Sequence, residues 1–153
     1  MNRYLTEHEK TAEVARWLEY RSDPSNQPPP GQEGGHGYPD PAIFPLTDAL
    51  NAIDGVLTDQ SCAGHLHPGE VVGEDAYWHA QLWLRLSEPM MEAFTDHVYT
   101  LLESPLIERC QRIFHPDVGD LVDIVFHGSE RGKLDESGAG IVRFFTDLSD
   151  CLR

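Results

Sequence analysis

No stretch of this chain approaches the roughly 20 consecutive apolar residues that a membrane-spanning helix needs. The opening residues, Met1 to Lys10, lack the apolar core of a secretory leader. Both absences point to the cytoplasm and away from the membrane. Cysteine is scarce: Cys62, Cys110 and Cys151 are odd in number and far apart, so no disulfide framework is implied. Cys110 and Cys151 sit among apolar residues and are expected to be buried thiols. Positive charge is also scarce. Eleven Lys and Arg face 26 Asp and Glu, a net charge of -15. A field of that sign opposes non-specific nucleic-acid binding, and no run of Lys or Arg offsets it locally. Phosphate-binding P-loops, a Gly-x-Gly-x-x-Gly fingerprint and a Gly-x-Ser-x-Gly elbow are all missing.

What is present suits one globular core. The chain has 153 residues, of which 40% are hydrophobic. Its mean hydropathy of -0.41 and 11 prolines mark a sizeable unpacked portion. Residues 1–22 read as an N-terminal helix, opened by Thr6 and Glu9 in capping-box spacing. Val14, Trp17, Leu18 and Arg21 give it a narrow docking stripe. Residues 23–45 hold seven of the prolines and read as a Pro/Gly-rich tether, with Tyr38, Ile43 and Phe44 anchoring its end.

Residues 46–153 read as the folded domain. Leu46, Ala49, Leu50 and Ile53 follow helical spacing, with Gly55 as the stop. Val56 and Leu57 start a short strand. Residues 66–75 read as a loop. Ala76 to Ser87 alternates as a strand, with Trp78, Ala80, Leu82, Leu84 and Leu86 on one face. Tyr77, His79, Gln81, Trp83 and Arg85 occupy the other. Ser87 and Pro89 open a helix buried through Met90, Phe94, Val98, Leu101 and Leu102. Residues 106–114 fit either a helix or a strand. Residues 121–127 read as a buried strand, and 139–145 as its hairpin partner. The expected class is α+β: a compact mixed or antiparallel sheet with flanking helices, preceded by the tethered helix.

The densest chemistry lies in Thr58-Asp59-Gln60-Ser61-Cys62-Ala63-Gly64-His65. Cys62 is the nucleophile candidate, since a nearby imidazole lowers a thiol pKa. His65, three residues on, is its candidate partner and proton carrier. Thr58 and Ser61 offer hydroxyls, Gly64 allows close ligand approach, and Asp59 can orient an imidazole. Cys62, His65 and His67 also offer zinc-type ligands, with His79 or His127 as a fourth, although no second Cys-x-x-Cys accompanies them. His36 and His115 flank loops and read as solvated.

Thr58-x-x-Ser61-Cys62-Ala63-Gly64, with Tyr77-Trp78-His79 opening the next strand, resembles the wybutosine-synthesis methyltransferase family of tRNA-modifying proteins, over roughly residues 46–145. The resemblance implies an α+β fold and S-adenosylmethionine-dependent RNA methylation. The family places Arg after the glycine, where this chain has His65.

These features point to a pocket for a small molecule or nucleotide, its cofactor undetermined. Its walls would be the 61–65 loop and the His79, Gln81, Trp83 and Arg85 strand face. Arg85 would pair an anionic group and Trp83 would stack. The competing expectation is an acidic interaction module that uses the N-terminal helix and proline-rich arm to bind a partner or form a homodimer.

Overall fold

The computed structural model describes residues 3–31, 38–62, 80–126 and 132–153. Helix α1 spans Glu7–Ser22, α2 Phe44–Asn51, α3 Glu88–Leu102 and α4 Gly132–Cys151. The strands are β1 Val56–Cys62, β2 Gln81–Leu86, β3 Ile107–His115 and β4 Gly119–Phe126. They form one sheet in the order β1-β2-β4-β3, every neighbouring pair antiparallel. The class is α+β, as the sequence predicts.

Local signals set the helix starts. Thr6 Oγ1 accepts from the Glu9 amide at 3.2 Å, and the Glu9 carboxylate accepts from the Thr6 amide at 2.9 Å. Both otherwise orphaned donors are thereby satisfied. Ser87 caps α3 by accepting from the Met90 amide, with proline in the first turn.

Alternation along β2 and β4 then decides the core. Leu82 and Leu84 lie level with Ile124 and Val122 on one face, and Leu86 and Phe126 extend it. Helix α2 covers this face with Leu46 and Leu50, α3 with Met90, Met91 and Phe94, and α4 with Ile141, Phe144, Phe145 and Leu148. Phe145 stacks on Phe94 at 6.1 Å and meets Phe144 edge-on at 5.2 Å.

Several expectations need correction, among them Leu102, placed in the buried stripe of α3 but exposed. Residues 139–145 are not a strand; they belong to α4, and the hairpin partner of β4 is β3. Ile141, Phe144, Phe145 and Leu148 recur at i, i+3, i+4 and i+7, so the helical period outweighs the short apolar run. Glycine does not break this helix, because Gly138 lets α2 approach closely: a Cβ there would meet Leu46 at 3.2 Å. Cys151, expected to be buried, is exposed near the end of α4. Residues 106–114, ambiguous by pattern, fall in the edge strand β3 and the turn before it.

Helix α1 docks through polar anchors together with part of its expected stripe. Lys10 is buried and donates its Nζ to the Ile53 carbonyl. Arg21 forks onto Asp48 at 2.7 and 3.0 Å, and Trp17 meets Phe44 edge-on at 5.8 Å. Leu18 stays exposed. Among the described residues no helix is long and apolar enough to cross a membrane.

Gly55 closes the α2–β1 turn at φ +77°. A Cβ there would lie 2.5 Å from Ser87 Oγ, the α3 cap. Gly55→Ala is therefore expected to cost about 1–3 kcal/mol, read as a lower urea midpoint. An unchanged midpoint would contradict this.

Candidate functional site

Register across the sheet sorts the second face, the one that α2, α3 and α4 leave uncovered. Arg109, Val125 and Gln81 lie level, as do Gln111, Asp123 and Trp83, and then Ile113, Leu121 and Arg85. Asp123 stands in the centre of this array and is only 2% exposed. Its Oδ1 accepts from Gln81 Nε2 at 2.7 Å and Trp83 Nε1 at 3.0 Å. Its Oδ2 accepts from Arg109 Nε at 3.1 Å and Nη2 at 2.9 Å, and from Gln111 Nε2 at 3.1 Å.

A buried carboxylate tolerates this position only when its oxygens are fully engaged. Burial pushes the Asp123 pKa up, but the hydrogen bonds from Gln81, Arg109 and Gln111 and the Arg109 charge outweigh it. The net effect holds the carboxyl below its ordinary range. Four side chains from the two strands flanking β4 are thereby locked around one charge. The Arg109 side chain remains 51% exposed beyond its fork.

His115 ends β3 on the same face, its ring centroid 6.4 Å from that of Trp83. It is half-buried, not a solvated loop residue. Asp59 belongs to the same electrostatic group. Desolvation raises its carboxyl pKa, opposed first by the charge of Arg85; Glu13 adds to the rise and His115 opposes it.

Strand β1 rearranges the expected site. Thr58 to Cys62 is strand, not loop. The β1–β2 register shifts between Thr58 and Gln60, placing a bulge at Asp59. Thr58 pairs with Leu84 and Ser61 with Leu82, so both sit on the helix side of the sheet. Thr58 is committed there: its amide and hydroxyl both donate to Asn51 Oδ1, at 2.8 and 3.1 Å. Neither hydroxyl shares a face with Gln81, Trp83 and Arg85. The expected single wall of Ser61 and those three side chains is therefore divided between the two faces.

Arg85 also departs from its expected role. It is 7% exposed, and its Nη2 lies 3.6 Å from the Glu9 carboxylate of α1. The anion it meets is supplied by the chain itself. Cys62 pairs with Gln81 through its backbone; its side chain, together with Gly64, His65 and His79, lies outside the described residues. So do His67 and His127, which complete the zinc-type set. Among the described residues no group of three His, Cys, Asp or Glu is placed to hold a metal.

Sequence reasoning missed Asp123, Arg109 and Gln111. A single carboxylate inside Leu121-Val122-Asp123-Ile124-Val125-Phe126 was the available signal. An acid in a strand buried along its whole length must be paired.

Two measurements follow. The lowered Asp123 pKa supplies stability that is full above the ordinary carboxylate range and is lost as pH falls through the folded value. Asp123→Asn is expected to flatten the acid limb of stability against pH, leaving the part contributed by Asp120, whose pKa is also lowered. Parallel curves for variant and wild type would refute that. Burial, reinforced by the Asp123 charge, pushes the Cys110 thiol up to about 12. At mildly alkaline pH iodoacetamide should therefore label Cys151 well before Cys110, followed by peptide mass spectrometry. Equal labelling of the folded protein would contradict this protection.

Comparison of the chain with protein-family models, curated proteins and solved structures finds no match.

Proposed function

We propose that the second sheet face binds a small, flat, hydrogen-bonding molecule of the nucleobase or nucleoside kind. One observation carries this: the five hydrogen bonds on Asp123 pre-set Trp83, Gln81, Arg109 and Gln111 on a single face. Side chains fixed in advance lose little entropy when a ligand arrives. Trp83 supplies the stacking surface. The half-exposed Arg109 supplies donors at the rim, and His115 and Asp59 add an imidazole ring and a carboxylate.

A flat ligand fits this chemistry better than a strongly anionic one. The charge of Arg109 is matched by Asp123, and that of Arg85 by Glu9 and Asp59. The face therefore carries donors without a surplus of positive charge. Catalysis enters through Cys62 and His65. Cys62 ends β1 level with Gln81, so its backbone borders this face. The resemblance to wybutosine-synthesis methyltransferases nominates S-adenosylmethionine among the probes, since its adenine is a ligand of this class.

Adenosine, guanosine and S-adenosylmethionine titrated into isotopically labelled protein provide the test. Binding should shift the Trp83 indole N–H resonance. Trp83→Leu should weaken it by about tenfold or more, the usual scale of a lost base–aromatic stack. Shifts confined to other residues, or affinity unchanged in Trp83→Leu, would defeat the proposal.

A further inference from the structure

On the helix-side face, at the far end of the sheet, two arginines share one carboxylate. Asp120 follows Gly119 at the start of β4 and is 3% exposed. Its Oδ2 accepts from Arg3 Nε at 3.0 Å and from Arg112 Nε at 3.1 Å, and it also pairs with Arg112 Nη2. The backbone holds the cluster together: the Asp120 amide donates to the Arg3 carbonyl at 3.1 Å, and the Leu5 amide donates to the Leu86 carbonyl at 2.9 Å. Tyr4 lies between the two guanidiniums. Its hydroxyl accepts from Arg112 Nη2 at 3.2 Å, and Arg3 sits over its ring at 5.4 Å.

The charges do not cancel here. Two guanidiniums against one carboxylate leave one positive charge, in a chain with a net charge of -15. Nor are the donors exhausted. Arg3 uses only its Nε, and its side chain is 62% exposed; Arg112 uses Nε and Nη2, and its side chain is 36% exposed. The remaining nitrogens, both Nη of Arg3 and Nη1 of Arg112, have no hydrogen-bond partner among the described residues. A guanidinium oriented through one edge by a buried carboxylate offers its other edge in a fixed direction. Phe114 pairs with Asp120 across the hairpin and lies two residues beyond Arg112, on the same face of β3. It is 68% exposed, a flat apolar surface beside the charge.

We propose that Arg3 and Arg112 form an oxyanion site for a small phosphate, either inorganic phosphate or the phosphate of a mononucleotide whose base lies against Phe114. Asp120 is the positioning residue and Tyr4 the spacer between the two forks. The site is separate from the Trp83 face: Arg112 pairs with Val122 on one side of the sheet, whereas Gln111 pairs with Asp123 on the other.

Thermal melts with inorganic phosphate, at constant ionic strength set by chloride, test this on the full chain. Wild type should show a saturable rise in melting temperature. Arg3→Gln removes an exposed arm and leaves Arg112 on Asp120, so the fold is expected to persist; its apparent affinity should fall by about tenfold, the scale of a charge-assisted contact. Arg153→Gln, which removes an exposed arginine beside Asp54, should behave as wild type. Phe114→Ser separates the two sources. Binding of adenosine monophosphate that is stronger than that of phosphate and lost in Phe114→Ser identifies a nucleotide; equal binding of both identifies free phosphate. No saturable rise in wild type at millimolar phosphate, or the same rise in Arg3→Gln, would overturn the proposal.

Discussion

The buried carboxylate of Asp123 constrains the sheet more than any other single group. An unpaired charge at that depth would cost several kcal/mol, so its donors must arrive together. They come from β2 and β3, on either side of β4, and they meet only in one register. A slip of one residue would move Trp83 and Gln81 to the helix side and Leu82 and Leu84 to the other. The polar network and the leucine core thus specify the same alignment from opposite faces. Agreement between independent levels is what distinguishes one fold from near alternatives.

Much of this was legible in the sequence where one local rule acted without competition. The Thr6–Glu9 box, the Ser87 cap and the alternation of Leu82, Leu84 and Leu86 all appear as expected. Legibility failed where two periods fit the same residues. Ile141 to Phe145 looks like a strand within a short window; only the extension to Leu148 reveals the helix. Gly138 and Gly140 also lower the local helix propensity of this stretch. At Gly138 the tertiary need for close α2–α4 contact outweighs that propensity. The candidate site was legible in half. Gln81, Trp83 and Arg85 do share a face, but Asp123, the partner of the first two, lies some forty residues downstream, and Glu9, the partner of Arg85, lies in the N-terminal helix, beyond any local pattern.

Arginine use shows how an acidic chain spends few cations. Arg109 and Arg112 flank Cys110 and Gln111 on β3, an odd number of residues apart, so they project to opposite faces of the edge strand. Each fork meets an aspartate of β4, Asp123 on one side and Asp120 on the other. Long charged side chains on an edge also discourage unwanted strand pairing. The two pairs differ in balance. Asp123 is matched by one arginine and neutral donors, whereas Asp120 is shared by two arginines. The Asp123 face is therefore balanced in charge, and the Asp120 cluster keeps a positive surplus.

The bulge at Asp59 explains why the most reactive-looking segment divides. Without it, strict alternation from Leu57 would put Asp59 and Ser61 on the face of Trp83, and Gln60 on the helix side. The extra residue keeps Asp59 within the field of Arg85 and His115 but turns Ser61 to pair with Leu82. It also brings Cys62 into register with Gln81. Bulges commonly re-aim side chains next to functional sites, and this one removes the Ser61 hydroxyl from the polar face. A sequence window of reactive residues is therefore a poor guide to a site until its register is known. Asp59, which looked like an accessory in the sequence, becomes the residue of that window electrostatically coupled to the polar face.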